Sequence, residues 1–175
     1  ESEPEPDLLL DSFSVMFNNN VESLTEASFN DYKTIMIDSF NKWNTVILGA
    51  SNENLSTNFM LYITVNIDSL SEGVLGSASI TQLYDTNTWN SGTTSLSGKV
   101  YGESLYPYSG IFTINSNLLA SMAEDIKPSG KSKLYYVTLH EVGHLIGIGS
   151  LWGYPITNPP IDGSGYYIGQ NALHE

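Results

Sequence analysis

Residues 131–149 have the sequence KSKLYYVTLHEVGHLIGIG, and this stretch is the most informative about the fold of the chain. Its apolar residues recur at three- and four-residue intervals from Leu134 to Leu145, which is the spacing of one buried helix face. We therefore predict an α-helix over Lys131–Ile148. Within it, residues 140–144 are HEVGH, so that two histidines lie four positions apart on the predicted helix.

The spacing of His140 and His144 suits the binding of one metal ion. Residues four apart project from the same face of a helix, one turn above the other. Two imidazoles placed in this way can both reach one Zn²⁺ at about 2.0–2.1 Å. Glu141 follows the first histidine, and its carboxylate can serve as general base for a water that the metal activates. The alternative is an ordinary helix whose two histidines bind no metal.

The composition excludes several other functions. The chain has no cysteine, which rules out disulfides, thiol catalysis and thiolate zinc sites, and leaves histidine and carboxylate as metal ligands. The net charge is -13, with six lysines and no arginine, so we expect no nucleic-acid partner and no binding to anionic membranes. No apolar run approaches ~20 residues, so we also expect no transmembrane segment.

The length of 175 residues fits one domain, and several segments outside the HEVGH helix have the pattern of regular structure. The acidic, proline-containing residues 1–7 are predicted to be a flexible tail. Residues 85–98 are polar and predicted to be a loop. The remaining predictions are a helix over Ser28–Ile47 that Ser28 and Asp31 cap, a short helix over Leu118–Ile126, and strands over Leu8–Phe17, Phe59–Ile67, Gly73–Thr81, Lys99–Tyr101 and Gly110–Asn115.

A second metal is also considered in the predicted loop. Residues 85–90 (DTNTWN) have alternating oxygen-bearing side chains, as calcium-binding loops do. The stretch lacks the closing glutamate of such loops, and the alternative is a solvated loop without Ca²⁺.

The sequence HEVGHLIGIG over His140–Gly149 resembles the metzincin zinc peptidases, whose motif is H-E-x-x-H-x-x-G-x-x-H. In that family the glycine, which corresponds to Gly147, ends the helix in a sharp turn so that a third histidine returns to the metal. The third position is Ser150 in this chain. Leishmanolysin-like metzincins carry a long insertion before their third histidine, and HEVGHLIGIGSLW is more similar to that branch.

The resemblance implies a fold and an activity. The fold is an α+β, zincin-like (metzincin) catalytic domain over residues 8–175, with a twisted mixed β-sheet, a backing helix and an active-site helix. The activity is that of a secreted or cell-surface zinc metalloendopeptidase, expected as a monomer, in which His140 and His144 hold Zn²⁺ and Glu141 acts on a protein or peptide substrate.

The family's edge strand, which lines the cleft and pairs with substrate, corresponds to the strand at Leu75, Gly76, Ser77, Ala78 and Ser79. The small residues Gly76, Ser77 and Ala78 would let a peptide approach closely. The alternative is an ordinary edge strand or loop.

The third zinc ligand is left open. His174 is the remaining histidine and the first candidate, and Asp162 is a weaker oxygen ligand. All four methionines precede the HEVGH helix, so the methionine turn of metzincins has no counterpart, and we expect the natural chain to continue past Glu175. Tyr154, Tyr166 and Tyr167 follow the helix and either stabilise an oxyanion or pack within the loop.

Two other functions fit the same residues. One is a zinc-binding pseudo-peptidase, which the missing histidine at position 150 favours. The other is a non-enzymatic extracellular interaction domain in which HEVGH is accidental and no stoichiometric zinc is bound.

Overall fold

The computed structural model describes residues 5–47, 60–84, 93–95 and 106–150. Within these ranges the chain forms strands β1 (Leu8–Leu9), β2 (Phe13–Asn19), β3 (Leu61–Asp68), β4 (Gly76–Tyr84), β5 (Thr93–Ser95) and β6 (Tyr106–Asn115), helices α1 (Glu26–Asn44), α2 (Leu119–Glu124) and α3 (Lys133–Leu145), and a 3₁₀ turn over Ser116–Leu118. In this part of the chain, no helix combines the length and hydropathy needed to cross a bilayer.

The described strands belong to one sheet in the order β1-β2-β3-β6-β4-β5. Strands β2, β3 and β6 run parallel to one another, whereas β4 runs antiparallel to β6. Strand β1 is antiparallel to β2, and β5 is antiparallel to β4. The sheet is therefore mixed, and the predicted α+β class is confirmed.

One face of the sheet carries the core. Buried and less buried residues alternate along β2 and β3, because successive side chains in a strand point to opposite faces. The buried side chains of this face pack against side chains from all three helices. The resulting core includes Phe13, Val15, Leu61, Val65, Phe112 and Ile114 from the strands and Met36, Phe40, Met122, Leu134, Val142 and Leu145 from the helices. The other face leaves Tyr62 and Ile111 exposed.

Helix α1 packs against helix α3 through two side-chain hydrogen bonds to the backbone. The hydroxyl of Ser39 donates to the Tyr135 oxygen at 2.8 Å. The indole Nε1 of Trp43 donates to the Leu139 oxygen, also at 2.8 Å. Since Leu139 immediately precedes His140, α1 supports α3 at the level of the HEVGH motif.

The N-terminal part of the chain differs from the prediction in two respects. The single strand predicted over Leu8–Phe17 is two antiparallel strands, joined by a turn in which the Leu10 N–H donates to the Phe13 oxygen at 2.8 Å. The predicted tail is bound at its last residue, because the carboxylate of Asp7 accepts hydrogen bonds from the Phe17 N–H and the Lys33 ammonium. The prediction of a free tail is therefore wrong at Asp7, while residues 1–4 lie outside the described residues.

Helix α1 begins earlier than predicted. Its N-cap is Thr25, whose hydroxyl oxygen accepts from the Ser28 N–H at 3.2 Å. Ser28 is therefore inside the first turn, and the predicted cap at Ser28 is wrong. The helix also ends at Asn44 instead of Ile47.

The strands next to the HEVGH helix differ from the prediction mainly at their ends. Strand β4 extends to Tyr84, and β6 begins at Tyr106 instead of Gly110. Part of the predicted loop over residues 85–98 is strand β5. The strand predicted over Lys99–Tyr101 and the candidate calcium loop at 85–90 lie outside the described residues.

Candidate metal centre

Helix α3 is capped at both ends by features of its own sequence. At its start, the Ser132 hydroxyl oxygen accepts from the Tyr135 N–H at 3.3 Å, so the helix begins at Lys133 instead of Lys131. At its end, Gly147 has a φ of 104°, a left-handed conformation that favours glycine. The helix therefore stops at Leu145 and does not continue to Ile148 as predicted.

The turn after α3 is a Schellman motif. The Ile148 N–H donates to the Gly143 oxygen at 3.0 Å, and the Gly147 N–H donates to the His144 oxygen at 3.1 Å. Both bonds satisfy carbonyls that the end of the helix would otherwise leave without partners. They also fix where the backbone oxygen of Ile148 lies relative to the last turn of the helix.

The two histidines of the motif converge on one point. Their Nε2 atoms are 3.1 Å apart, and the imidazole planes are nearly perpendicular, at 86°. Two nitrogens on one tetrahedral zinc ion, each at about 2.0–2.1 Å, lie roughly 3.3 Å from each other. His140 is exposed and His144 is half-buried, so the point is accessible from solvent. The spacing and chemistry of the two donors fit Zn²⁺.

The ring of His144 is held by the turn that follows it. Its Nδ1 lies 2.8 Å from the Ile148 oxygen. A carbonyl only accepts, so Nδ1 carries the proton and Nε2 keeps the lone pair that a metal ligand needs. Gly149, at a φ of 78°, packs against the same ring, since a Cβ built on it would lie 3.4 Å from Nδ1. The glycine-rich turn thus fixes both the tautomer and the position of this ring.

Glu141 lies on the side of α3 that faces strand β4, where it is 8% exposed. The backbone N–H of Ala78 lies near its carboxylate. Burial raises the pKa of this carboxyl above its ordinary value, whereas His140, His144 and the Ala78 N–H act in the opposite direction. The raised pKa suits a group that accepts a proton and later releases it.

A cavity of about 460 Å³ opens beside this carboxylate. One wall is the start of β4 with the residues before it, Val74 to Gly76. The other is a stripe along α3 that includes Lys133, Tyr136 and Val137 and ends at His140 and Glu141. The cavity therefore adjoins the point where the two imidazoles converge.

The predicted substrate segment is placed beside α3. Leu75, Gly76 and Ala78 are half-buried, whereas Ser77 and Ser79 are exposed. Strand β5 pairs only with Gln82 to Tyr84, so among the described strands none pairs with the outer edge of residues 76–80. Within the described residues the segment is therefore an open strand edge at the candidate site, and the Ala78 N–H on this edge lies near the Glu141 carboxylate.

The other residues that the sequence predicted for this site lie outside the described part of the chain. His174, Asp162 and the three tyrosines belong to residues 151–175, which lie outside the described ranges. Within those ranges no group of three or more histidine, cysteine, aspartate or glutamate side chains is arranged to hold a metal. Ser150, at the family's third-ligand position, instead donates its hydroxyl to the His144 oxygen.

Three contacts of the site were not predicted from the sequence. They are the oxygen of Ile148, the N–H of Ala78 and the close approach of Gly76 to Glu141. Gly147 signalled that a turn follows the helix, but the sequence contains no signal for the partner of that turn. The two contacts of β4 depend on how strand and helix pack.

Comparison of the chain with models of protein families, with curated proteins and with solved structures gave no significant match.

Proposed function

We propose that this chain is a zinc-dependent metalloendopeptidase with a zincin-like, metzincin-type catalytic domain of the leishmanolysin-like branch. His140 and His144 hold the zinc ion, and Glu141 is the general base. The observation that carries the proposal is the convergence of the two Nε2 atoms, 3.1 Å apart, directly beside a buried carboxylate. The third ligand is His174 or another group beyond Ser150.

The residues of the site divide the chemistry between them. When bound, Zn²⁺ supplies a Lewis acid that polarises the scissile carbonyl and lowers the pKa of a water. Glu141 takes a proton from the attacking water and delivers it to the nitrogen of the leaving amine. Because burial raises the pKa of the Glu141 carboxyl, the group can hold that proton between the two steps.

The substrate is an extended polypeptide at an extracellular or cell-surface location. Among the described strands none pairs with the outer edge of residues 76–80 of β4, and this edge offers backbone groups to a peptide that adds as a further strand. Such a peptide would run past Glu141 and leave one side chain facing the adjoining cavity. Backbone pairing of this kind supports a protein substrate over a small molecule.

A second candidate function is zinc binding without hydrolysis. The hydroxyl of Ser150 is turned to the His144 oxygen, so the family's third-ligand position does not contribute to the centre. A centre in which His140 and His144 are joined by a third ligand other than histidine could bind the ion without catalysing hydrolysis.

These two functions are distinguished by measuring bound zinc and peptide-bond hydrolysis on the native protein and on two variants, Glu141→Gln and His144→Ala. The native chain should bind one zinc per chain and cleave an unfolded protein substrate. Glu141→Gln should keep the zinc and lose at least about 10²-fold in kcat, because only the proton transfer is removed. His144→Ala should lose both.

Zinc without hydrolysis in the native chain would support the second candidate. Absence of stoichiometric zinc would overturn both functions. Unchanged hydrolysis in Glu141→Gln would exclude Glu141 as the general base.

A further inference from the structure

Strand β4 approaches Glu141 more closely than a substrate-pairing edge requires. A Cβ built on Gly76 would lie 3.2 Å from Cγ of Glu141, 3.3 Å from Cγ1 of Val137 and 3.1 Å from Cε2 of Phe112. Contacts this short are tighter than the packing of ordinary side chains, so a methyl group at position 76 would displace its neighbours. Glycine at position 76 therefore lets the strand lie directly against the Glu141 side chain.

The same strand contacts the other end of that side chain. Two residues after Gly76, the backbone N–H of Ala78 lies near the Glu141 carboxylate, where it favours the charged form. Positions 76 and 78 have the same orientation in the strand, because orientation repeats every two residues. The Leu75 oxygen accepts from Asn115 of β6, which places the backbone groups of 75, 77 and 79 toward β6 and those of 76 and 78 toward the outer edge.

We propose that Gly76 and the backbone N–H of Ala78 are positioning groups for the Glu141 carboxylate. Gly76 sets the location of the methylene stem, and the Ala78 N–H orients the carboxylate. The sequence pattern predicted that Gly76 makes room for a substrate peptide, whereas in this role Gly76 makes room for the Glu141 side chain. The inference rests on the proposed function for its catalytic consequence, but the contact between the two residues stands without it.

The first experiment measures the contact itself, on metal-free protein, by thermal unfolding. Gly76→Ala should lower Tm in the native background by about 2–4 °C. In the Glu141→Ala background the loss should be smaller, because Cγ of residue 141 and one of the three close contacts are gone. In the Glu141→Gln background, which keeps Cγ, the loss should equal that in the native background.

Gly110→Ala is the matched control for this cycle. A Cβ on Gly110 would lie 2.6 Å from Cδ2 of Leu145 and 3.0 Å from the Ser79 oxygen, so the substitution crowds the same sheet without contacting Glu141. Its Tm loss should be the same in all three backgrounds. Equal losses for Gly76→Ala in the native and Glu141→Ala backgrounds would overturn the proposal.

The second experiment measures the catalytic consequence on the zinc-loaded chain. Gly76→Ala should keep its zinc and change KM less than about threefold, while kcat falls roughly 10- to 100-fold because the base is displaced. Unchanged kcat would overturn the positioning role even if the unfolding cycle showed coupling. If the native chain cleaves no substrate, the proposed function fails, and the unfolding cycle alone decides whether β4 positions Glu141.

Discussion

The Nδ1 atom of His144 lies 2.8 Å from the backbone oxygen of Ile148, four residues further along the chain. The two atoms meet because Gly147 adopts a φ of 104° and turns the chain back over the end of α3. One glycine therefore ends the helix and also orients a candidate zinc ligand. Stability and metal affinity should respond together when this turn is disturbed.

Gly147→Ala tests this coupling. A side chain at a positive φ is strained, so the free energy of unfolding should fall by about 1–2 kcal/mol. The displaced Ile148 oxygen would release the His144 ring, and zinc affinity should fall by about 10-fold or more. Tm of the metal-free protein and a competitive zinc titration measure the two effects.

Gly73→Ala provides the comparison. Gly73 has a φ of 81°, and a Cβ built there meets nothing within 4 Å, so only the backbone strain is reproduced. It should lower the free energy of unfolding by a similar amount and leave zinc affinity unchanged. A comparable loss of zinc affinity in both variants would contradict an orienting role for the turn.

Zinc itself should stabilise the native chain. An ion that binds only the folded state adds about 2.7 kcal/mol at a concentration 100 times its Kd, which corresponds to a rise in Tm of roughly 5–10 °C. His140→Ala should abolish this rise, and a chelator should reverse it in the native chain. His174→Ala should also reduce the rise if His174 is the third ligand. A rise that persists in His140→Ala would place the metal elsewhere.

Trp43 should stabilise the helix that carries the two histidines. Trp43→Phe keeps most of the ring but removes the donor to the Leu139 oxygen, and should cost about 1 kcal/mol of unfolding free energy. Trp43→Ala also removes the packing and should cost about 3 kcal/mol. Urea unfolding of the metal-free chain measures both. Equal costs for the two variants would mean that the ring itself contributes little.

Thr138 is expected to tolerate the loss of its hydroxyl. The residue is fully buried in α3, and among the described residues its Oγ1 has no hydrogen-bond partner. Thr138→Val has the same shape and should raise the unfolding free energy by up to about 1 kcal/mol. Ser39→Ala removes a buried hydroxyl that does donate, to the Tyr135 oxygen, and should instead lower it by about 1 kcal/mol.

The carboxylate of Asp7 should make stability depend on pH. Burial raises the pKa of Asp7, but the Lys33 ammonium and the Phe17 N–H together lower it by more. The pKa of Asp7 therefore lies below its ordinary value. A lowered folded-state pKa stabilises the protein above the unfolded-state pKa of about 3.9, and the gain is lost as pH falls through the folded-state pKa. Asp7→Asn should therefore cost about 0.5–1 kcal/mol at pH 7, and progressively less below about pH 3.9.

The pairing partner provides the control for Asp7. Lys33→Met should show a similar cost at pH 7, and the double variant Asp7→Asn, Lys33→Met should cost less than the sum of the two. Unfolding free energies of the three variants at pH 7 and pH 3 measure the coupling. Additive costs would show that the two side chains contribute independently.

The regular patterns of the chain predicted its larger elements well. The three- and four-residue spacing located α1 and α3, because one face of each helix is buried against the same sheet. Their ends were less accurate, since a hydroxyl at Thr25 or Ser132 decides where a helix begins, and Ser28 has the same chemistry as either. The start of β6 at Tyr106 was missed because Pro107 is a poor strand former.

The candidate site was predictable only as far as it lies within one helix. His140, Glu141 and His144 follow from their spacing, because a helix of known pitch fixes their relative positions. The approach of Gly76 to Glu141 joins residues that are distant in sequence, and no local pattern specifies it. The small residues Gly76, Ser77 and Ala78 indicated that another group lies close to this strand. The sequence could not show whether that group is a substrate peptide or the side chain of Glu141.

The hydrogen bonds from Ser39 and Trp43 to α3 each join residues 96 positions apart. Together with the parallel pairing of β3 and β6, they give the fold a high contact order, and such topologies fold slowly because long loops must close first. The isolated α3 segment would lack both the helix that supports it and the strand that contacts Glu141. Metal capture should therefore be a late event in folding, which follows the docking of α1 instead of initiating it.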